Sequence, residues 1–260
     1  MKFINKNELI ITKTPLRVSL FGGGTDYPEH FLKHGGRTIN LAIDKYNYII
    51  LKQSKELTNK KYLLSYSKKE TANLIKQIKH PSIRECLKYF EINKRLEIHH
   101  IADLQSKTGL GSSSSFTVGL IKALIKLKNQ NISKKNLSEK AIIIEREMIK
   151  ERVGWQDQII SSFGGVNITH YYKSKKFKVQ PIKLNLHNIK KLEKSILLVY
   201  TGVQRFAHKV LKNQIKLTNN GAITQQLIDI ENITKEVSIN ISKDNINLNF
   251  IGQKLNEVWQ

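Results

Sequence analysis

The run Lys107 to Phe116, K-T-G-L-G-S-S-S-S-F, sets two glycines and four serines directly before an amphipathic helical pattern, and this junction most constrains how the chain can fold. Phe116, Leu120 and Leu124 recur every four residues with Ile121 and Ile125 beside them, so a helix beginning near Ser113 must bury one face. Glycines let a backbone approach a ligand closely, and the unpaired amides of a helix's first turn attract an anion. The same residue types also cap helices and make turns in proteins that bind nothing. Two familiar phosphate loops are excluded. A Walker A loop needs Lys and then Ser or Thr after its final glycine, whereas uncharged residues follow Gly111; a dinucleotide fingerprint needs glycine or alanine where Ser114 stands.

With 260 residues, 40% of them hydrophobic, the chain can bury a substantial core and suits one large domain or two modest ones. Its first residues, M-K-F-I-N-K-N-E-L, lack the apolar core of a signal peptide, and no apolar run approaches the roughly eighteen residues of a membrane span, so a soluble, cytoplasmic protein without a membrane partner is expected. The single cysteine, Cys86, excludes an internal disulfide and reads as a small core residue. A formal charge of +23 invites a nucleic-acid reading. Lysines are spread through every segment, however, and no zinc spacing, aromatic RNA-binding signature or helix-turn-helix stands out, so nucleic acid is not the expected partner.

Strand-like runs fall at Leu9 to Phe21, Tyr46 to Lys52 and Leu96 to Ile101, with helices at Pro81 to Phe90 and Ser133 to Arg152. A second set of strands is expected at Val166 to Tyr172, Phe177 to Ile182 and Ser195 to Tyr200. From about Arg205 the pattern turns helical, with breaks near Asn219 to Gly221 and around Asn245. The fold class is therefore mixed α and β (α+β), in two parts that change near residue 165.

Three further places carry chemistry. In T-P-L-R-V-S-L-F-G-G-G-T-D-Y-P, Thr14 to Pro28, a strand delivers Arg17 among apolar residues and then runs into three glycines and Asp26. The glycines and Asp26 fit a tight turn, but a guanidinium in such a strand needs a carboxylate or phosphate partner. Asp157, in V-G-W-Q-D-Q, is either a helix cap or that partner, and a carboxylate so placed can accept a hydroxyl proton. Leu137, Ala141, Ile144 and Met148 define one buried helical stripe, and Glu145 lies beside it. Such a carboxylate needs a cation or a hard divalent ion nearby, unless it lies at the stripe's edge and pairs with a surface lysine.

These three motifs, in this order, resemble the GHMP sugar kinases: Thr14 to Pro28 the first motif, G-L-G-S-S-S-S the second, and V-G-W-Q-D-Q with the following F-G-G the catalytic-aspartate segment. Within that family, F-G-G-G-T-D-Y-P, H-P-S-I-R-E, G-L-G-S-S-S-S-F-T-V-G-L and G-W-Q-D-Q are most similar to the kinases of D-glycero-D-manno-heptose 7-phosphate. The resemblance implies a sugar phosphate substrate, ATP and Mg2+, with a homodimer among the states it allows. It implies that Asp157 handles the proton of the attacking hydroxyl and that Arg17 steadies the developing charge. Asp26, with Gly23 and Gly24, would hold the sugar; Ser113 and Glu145 would hold magnesium. Gly109, Gly111, Ser112, Ser113, Ser114 and Ser115 would wrap the ATP phosphates. Arg84, with His80 behind it, is the candidate cation for a distal phosphate, against the alternative of a capped surface helix.

The implied fold is a GHMP kinase N-terminal domain of the ribosomal protein S5 domain 2-like type over residues 1–165, followed by a ferredoxin-like C-terminal domain over 166–260. After Gly221 the only glycine is Gly252, so the family's third, glycine-rich motif is not in this sequence and the second domain is expected to be incomplete. The alternatives are another sugar 1-kinase of the fucokinase kind and a catalytically silent sugar- or ATP-binding protein.

Overall fold

The computed structural model of the chain describes residues 9–54, 59–105, 108–199 and 207–259. Apolar and β-branched residues, alternating with polar ones from Leu16 to Leu20, make Leu9–Phe21 a strand, β1, which pairs antiparallel with the long β2, Gly36–Gln53. Between them the short α1, Pro28–His34, begins with a proline suited to a helix's first position. β3 (Tyr62–Ser65), β4 (Lys69–Ala72) and β5 (Leu96–Ala102) extend the sheet from the Asn47–Gln53 end of β2, and β6 (Val166–Tyr172) and β7 (Lys176–Pro181) from its Gly36–Leu41 end. The resulting seven-stranded sheet has the order β4-β3-β5-β2-β6-β7, with β1 also paired to β2. Because β6 pairs directly with β2, the sheet runs on through the composition change near residue 165.

Helices α2 (Pro81–Tyr89), α3 (Ser112–Leu127) and α4 (Lys134–Ile143) cover one part of the sheet. Their apolar faces meet Ile49, Leu51, Leu64 and Ile98 in the largest core cluster, which also holds the fully buried Cys86, where burial pushes the thiol well above its ordinary range. After α5, Gln156–Phe163, and the β6–β7 hairpin, the remaining described elements are helices: α6 (Leu186–Ser195), α7 (Ala207–Asn219), α8 (Thr224–Ile241) and α9 (Leu248–Trp259). A second cluster joins Phe21, Ile39 and Ile168 of the sheet to Val237, Ile241 and Ile251 of α8 and α9. No helix among the described residues is long and apolar enough to cross a membrane.

The structure corrects several sequence expectations. Ser195 ends a helix, and 196–199 have no regular structure, so the strand expected at Ser195 to Tyr200 is absent over its described part; Tyr200 lies outside the described residues. Apolar character alone cannot distinguish a strand from an exposed run, and Leu197 is 85% exposed. The helix expected to reach Arg152 loosens into a π-helical stretch at Ile144–Met148, and Lys150 turns left-handed with φ 64°. β2 begins ten residues before Tyr46, and α1, α5, α6, β3 and β4 were not expected. Lys107 and Arg205 also lie outside the described residues.

Candidate active site

The pairing of β1 with β2 slips between Pro15 and Arg17, and a bulge of this kind re-aims a side chain. Arg17 consequently leaves the sheet toward the glycine–serine loop. Its Nε donates to Asp157 Oδ1 and its Nη2 to Asp157 Oδ2, both at 2.7 Å, in the two-pronged geometry a planar guanidinium favours. Its Nη1 donates to the carbonyl of Gly109 at 2.7 Å, and its backbone N–H donates to Leu110 O at 3.1 Å. One arginine therefore fixes the loop and the carboxylate together. Asp157 stands in the first turn of α5, where an anion is favoured by the helix dipole, and its side chain remains 23% exposed.

Gly111 caps α3 in the left-handed region at φ 72°. A Cβ there would lie 3.2 Å from Arg17 Cγ and 3.3 Å from Asp157 Oδ2, so the ion pair rests against the bare backbone of the loop. By helix geometry the amides of Ser112, Ser113 and Ser114 lack partners within the helix, which is the anion-attracting feature expected of the loop. Ser113 is exposed, whereas Ser114 and Ser115 are buried; Ser115 Oγ donates to Thr14 O at 3.1 Å and ties α3 to β1.

Glu145 lies in the π-helical stretch and is 1% exposed. Such loosened turns occur frequently at functional sites. Its Oε2 accepts from Ser114 Oγ at 2.8 Å and from Gln158 Nε2 at 2.5 Å, while its Oε1 is buried with no partner. Burial pushes the carboxyl up to about 7, against the lowering effect of those hydrogen bonds. The hydroxyl that reaches Glu145 is thus that of Ser114, rather than Ser113. These residues fit a hard cation, since the open carboxylate oxygen is a buried ligand atom lacking a counter-charge.

Asp26 is fully buried between the glycine turn and α5. Its Oδ1 accepts from Gly24 N at 3.1 Å, its Oδ2 from Gln156 N at 3.2 Å, and its carbonyl from Trp155 N at 3.1 Å. Burial pushes this carboxyl up to about 6; the Gln156 amide pulls it down and the nearby charge of Asp157 adds to the rise. Only glycine fits at 154, because a Cβ there would fall 1.8 Å from Asp26 Oδ2. Gly23 is exposed, whereas Gly24 is buried beneath Gln214 of α7 and Leu227 of α8.

Arg84 is not joined to this group by any described contact. Its Nε donates to Glu85 Oε1 at 2.9 Å and its Nη1 to Ile78 O at 3.0 Å, both in its own segment. His80 caps α2 by accepting from Ile83 N, and its ring stacks on Phe116 of α3 at 4.8 Å, which puts it beside the loop. Sequence reasoning assigned no role to Gly154 or Gln158, although both stand in the quoted V-G-W-Q-D-Q run.

The fold brings a glycine–serine loop, an arginine–carboxylate pair and a buried orphan carboxylate together, an arrangement suited to phosphate and its counter-ion. Residues 73–165 match the family model described as GHMP kinases N terminal domain. Among curated relatives, the chain is 29% identical to D-glycero-alpha-D-manno-heptose 7-phosphate kinase of Campylobacter jejuni, over 77% of this chain and 62% of that one. It is also 25% identical to the bifunctional fucokinase/GDP-fucose pyrophosphorylase of Arabidopsis thaliana, over 95% of this chain and 25% of the relative. The chain thus spans less than two thirds of the length of both. Among solved structures it superimposes on a D-glycero-D-manno-heptose 1-phosphate kinase from Bacteroides thetaiotaomicron with a TM-score of 0.80 at 20% identity, over 96% of this chain and 78% of that one. Residues 73–165 are thus similar to a GHMP kinase N-terminal domain, and the chain shares the fold of that solved kinase.

Proposed function

We propose that the chain is an ATP- and Mg2+-dependent sugar kinase that phosphorylates the anomeric hydroxyl of D-glycero-D-manno-heptose 7-phosphate, giving the 1,7-bisphosphate for nucleotide-activated heptose synthesis. The observation that carries this reading is the pair Arg17–Asp157, held in two-pronged contact while the same arginine grips the carbonyl of Gly109 in the loop. Phosphoryl transfer requires chiefly positioning and neutralisation of charge on the transferred group, and this arrangement supports both. The sugar oxygen forms a bond to the γ-phosphorus as the bond from that phosphorus to the ADP oxygen breaks. Asp157 receives the hydroxyl proton or orients its departure, and Arg17 lies where charge develops.

The loop amides of Ser112 to Ser114, with Gly109 and Gly111, would receive the ATP phosphates, whereas the Ser115 amide is spent on Gly111 O at 3.0 Å. Glu145, oriented by Ser114 and Gln158, would hold Mg2+ together with Ser113; bound there, the ion would neutralise phosphate oxygens. Asp26 and the backbone of Gly23 and Gly24 would bound the sugar, and direct contact with a sugar hydroxyl requires the buried Asp26 carboxylate to open to the cleft. The reading places the protein in solution in the cytoplasm.

A second reading is favoured by Arg84. Two of its N–H groups are held by Glu85 and Ile78 and no described contact joins it to the site, which favours a sugar 1-kinase of the fucokinase kind acting on an unphosphorylated sugar. ADP release measured across sugars and sugar 7-phosphates, with Asp157→Ala as control, separates the two. Turnover confined to the heptose phosphate supports the first, turnover of free sugars supports the second, and ATP binding without release from any acceptor overturns both.

A further inference from the structure

The first turn of α3 is held from the sheet side by a hydrogen-bonded pair to which none of the roles above is given. Asn47, on β2, is fully buried. Its Nδ2 donates to the backbone carbonyl of Ser112 at 2.8 Å, and its Oδ1 lies 2.9 Å from Nε2 of His100 on β5. A carbonyl accepts only from an N–H or O–H, so Ser112 O fixes which way the Asn47 amide points and leaves Oδ1 facing the imidazole. His100 must therefore carry its proton on Nε2. The resulting relay runs from imidazole N–H to amide oxygen, and from amide N–H to the carbonyl of the first residue of α3. The far side of the imidazole is packed, because its ring meets Phe116 edge to face at 4.9 Å.

We infer that Asn47 and His100 are positioning residues for ATP, acting through Ser112 to hold the first-turn amides of α3 in the orientation that receives phosphate. The inference rests on the proposed function, since it concerns the same loop. Its physical basis is that Gly111, the cap residue, is left-handed and carries no side-chain cap, so the turn after it is not held by a capping side chain of its own. Arg17 pins the loop at Gly109 and Leu110; Asn47 pins it at Ser112, on the other side of Gly111. With both pins in place the amides are preorganised, and the ordering cost falls on folding rather than on ATP binding.

The test uses the full chain and two readouts: direct binding of MgATP without sugar, and ADP release with sugar varied separately from ATP. Asn47→Leu keeps the volume and removes both hydrogen bonds. His100→Phe keeps the aromatic contact with Phe116 and removes the donor, while His100→Gln replaces the Nε2–H donor at similar reach. We expect Asn47→Leu and His100→Phe to weaken MgATP binding and raise its KM about tenfold, the factor equivalent to about 1.4 kcal/mol, with the sugar KM unchanged and kcat within about twofold. His100→Gln should recover most of the loss. If Asn47→Leu does not fold, the two His100 variants decide. Unchanged MgATP affinity in a folded variant, equal loss for ATP and sugar, or no recovery by glutamine overturns the relay. A wild-type chain that binds no ATP overturns the proposed function and the relay with it, whereas intact wild-type binding with indifferent variants overturns the relay alone.

Discussion

Beside the loop Asp157 takes two hydrogen bonds from a guanidinium, while in the π-helical stretch Glu145 takes two from neutral donors, Ser114 of α3 and Gln158 of α5. The first carboxylate is matched in charge by the protein and is partly exposed; the second is buried with one oxygen unpartnered. The difference separates a carboxylate whose charge the protein itself neutralises from one buried without a counter-charge. Asp26 forms an intermediate case, since both of its oxygens accept backbone N–H groups but no cation is among the hydrogen-bond partners described for it.

The largest expected effect tests the matched end. Asp157→Ala should lower ADP release about a thousandfold while leaving MgATP binding measurable, because it removes the group proposed above to handle the hydroxyl proton. Retention of turnover in a folded variant would break the comparison at its functional end. Next comes Gly154→Ala, whose added Cβ has no room beside Asp26 Oδ2; urea denaturation should show a loss of about 3 kcal/mol, the upper end of what overpacking ordinarily costs.

The unmatched carboxylate is tested through pH. Burial raises Glu145 from 4.5 to about 7, so the folded state binds this proton more tightly than the unfolded chain does. Stability from this group is full below about pH 4.5 and is lost as pH rises through about 7, by about 3 kcal/mol in all. Glu145→Gln should remove that slope and stabilise the ligand-free protein at pH 8, and added Mg2+ should raise the wild-type melting temperature at pH 8 but not that of the variant. A wild-type slope unaffected by the substitution would assign the charge burden elsewhere. Asp26, raised from 3.8 to about 6, contributes in the same direction over a lower window, pH 4 to 6. Asp26→Asn should gain only about 2 kcal/mol at pH 8, since the amide turns one acceptor into a donor facing an N–H.

How much of this was legible beforehand differs between residues for identifiable reasons. β1 and β6 matched their expected bounds because runs rich in β-branched and aromatic residues abut glycine turns, at Gly22 after β1 and Gly165 before β6. β3, β4 and α1 are short, and a four-residue strand holds too few repeats for a period to show. Arg17 was recognisable as a cation in need of a partner, because a guanidinium amid apolar strand residues is costly alone. That its partner is Asp157, 140 residues away, and that it also holds Gly109, follows from the bulge at Pro15 and from the sheet order. Glu145 was marked by its place beside a buried stripe, but the choice of Ser114 over Ser113 depends on the rotation of α3 against a π-helical turn that sequence spacing does not reveal. Gly154 looked like one more loop glycine until the carboxylate of Asp26 was found against it.

By itself the sequence determined the local terms: a loop of glycines and serines leading into an amphipathic helix, a strand carrying a cation, and a glycine turn ending in an aspartate. Those follow from short-range periodicity and steric freedom, which operate over a few residues. Only the tertiary structure decided the pairings: Arg17 with Asp157, Glu145 with Ser114 and Gln158, and Asn47 with Ser112 and His100. Such pairings depend on strand register and helix rotation, and an electrostatic or hydrogen-bonding contact a few ångströms long is set by that geometry rather than by distance along the chain.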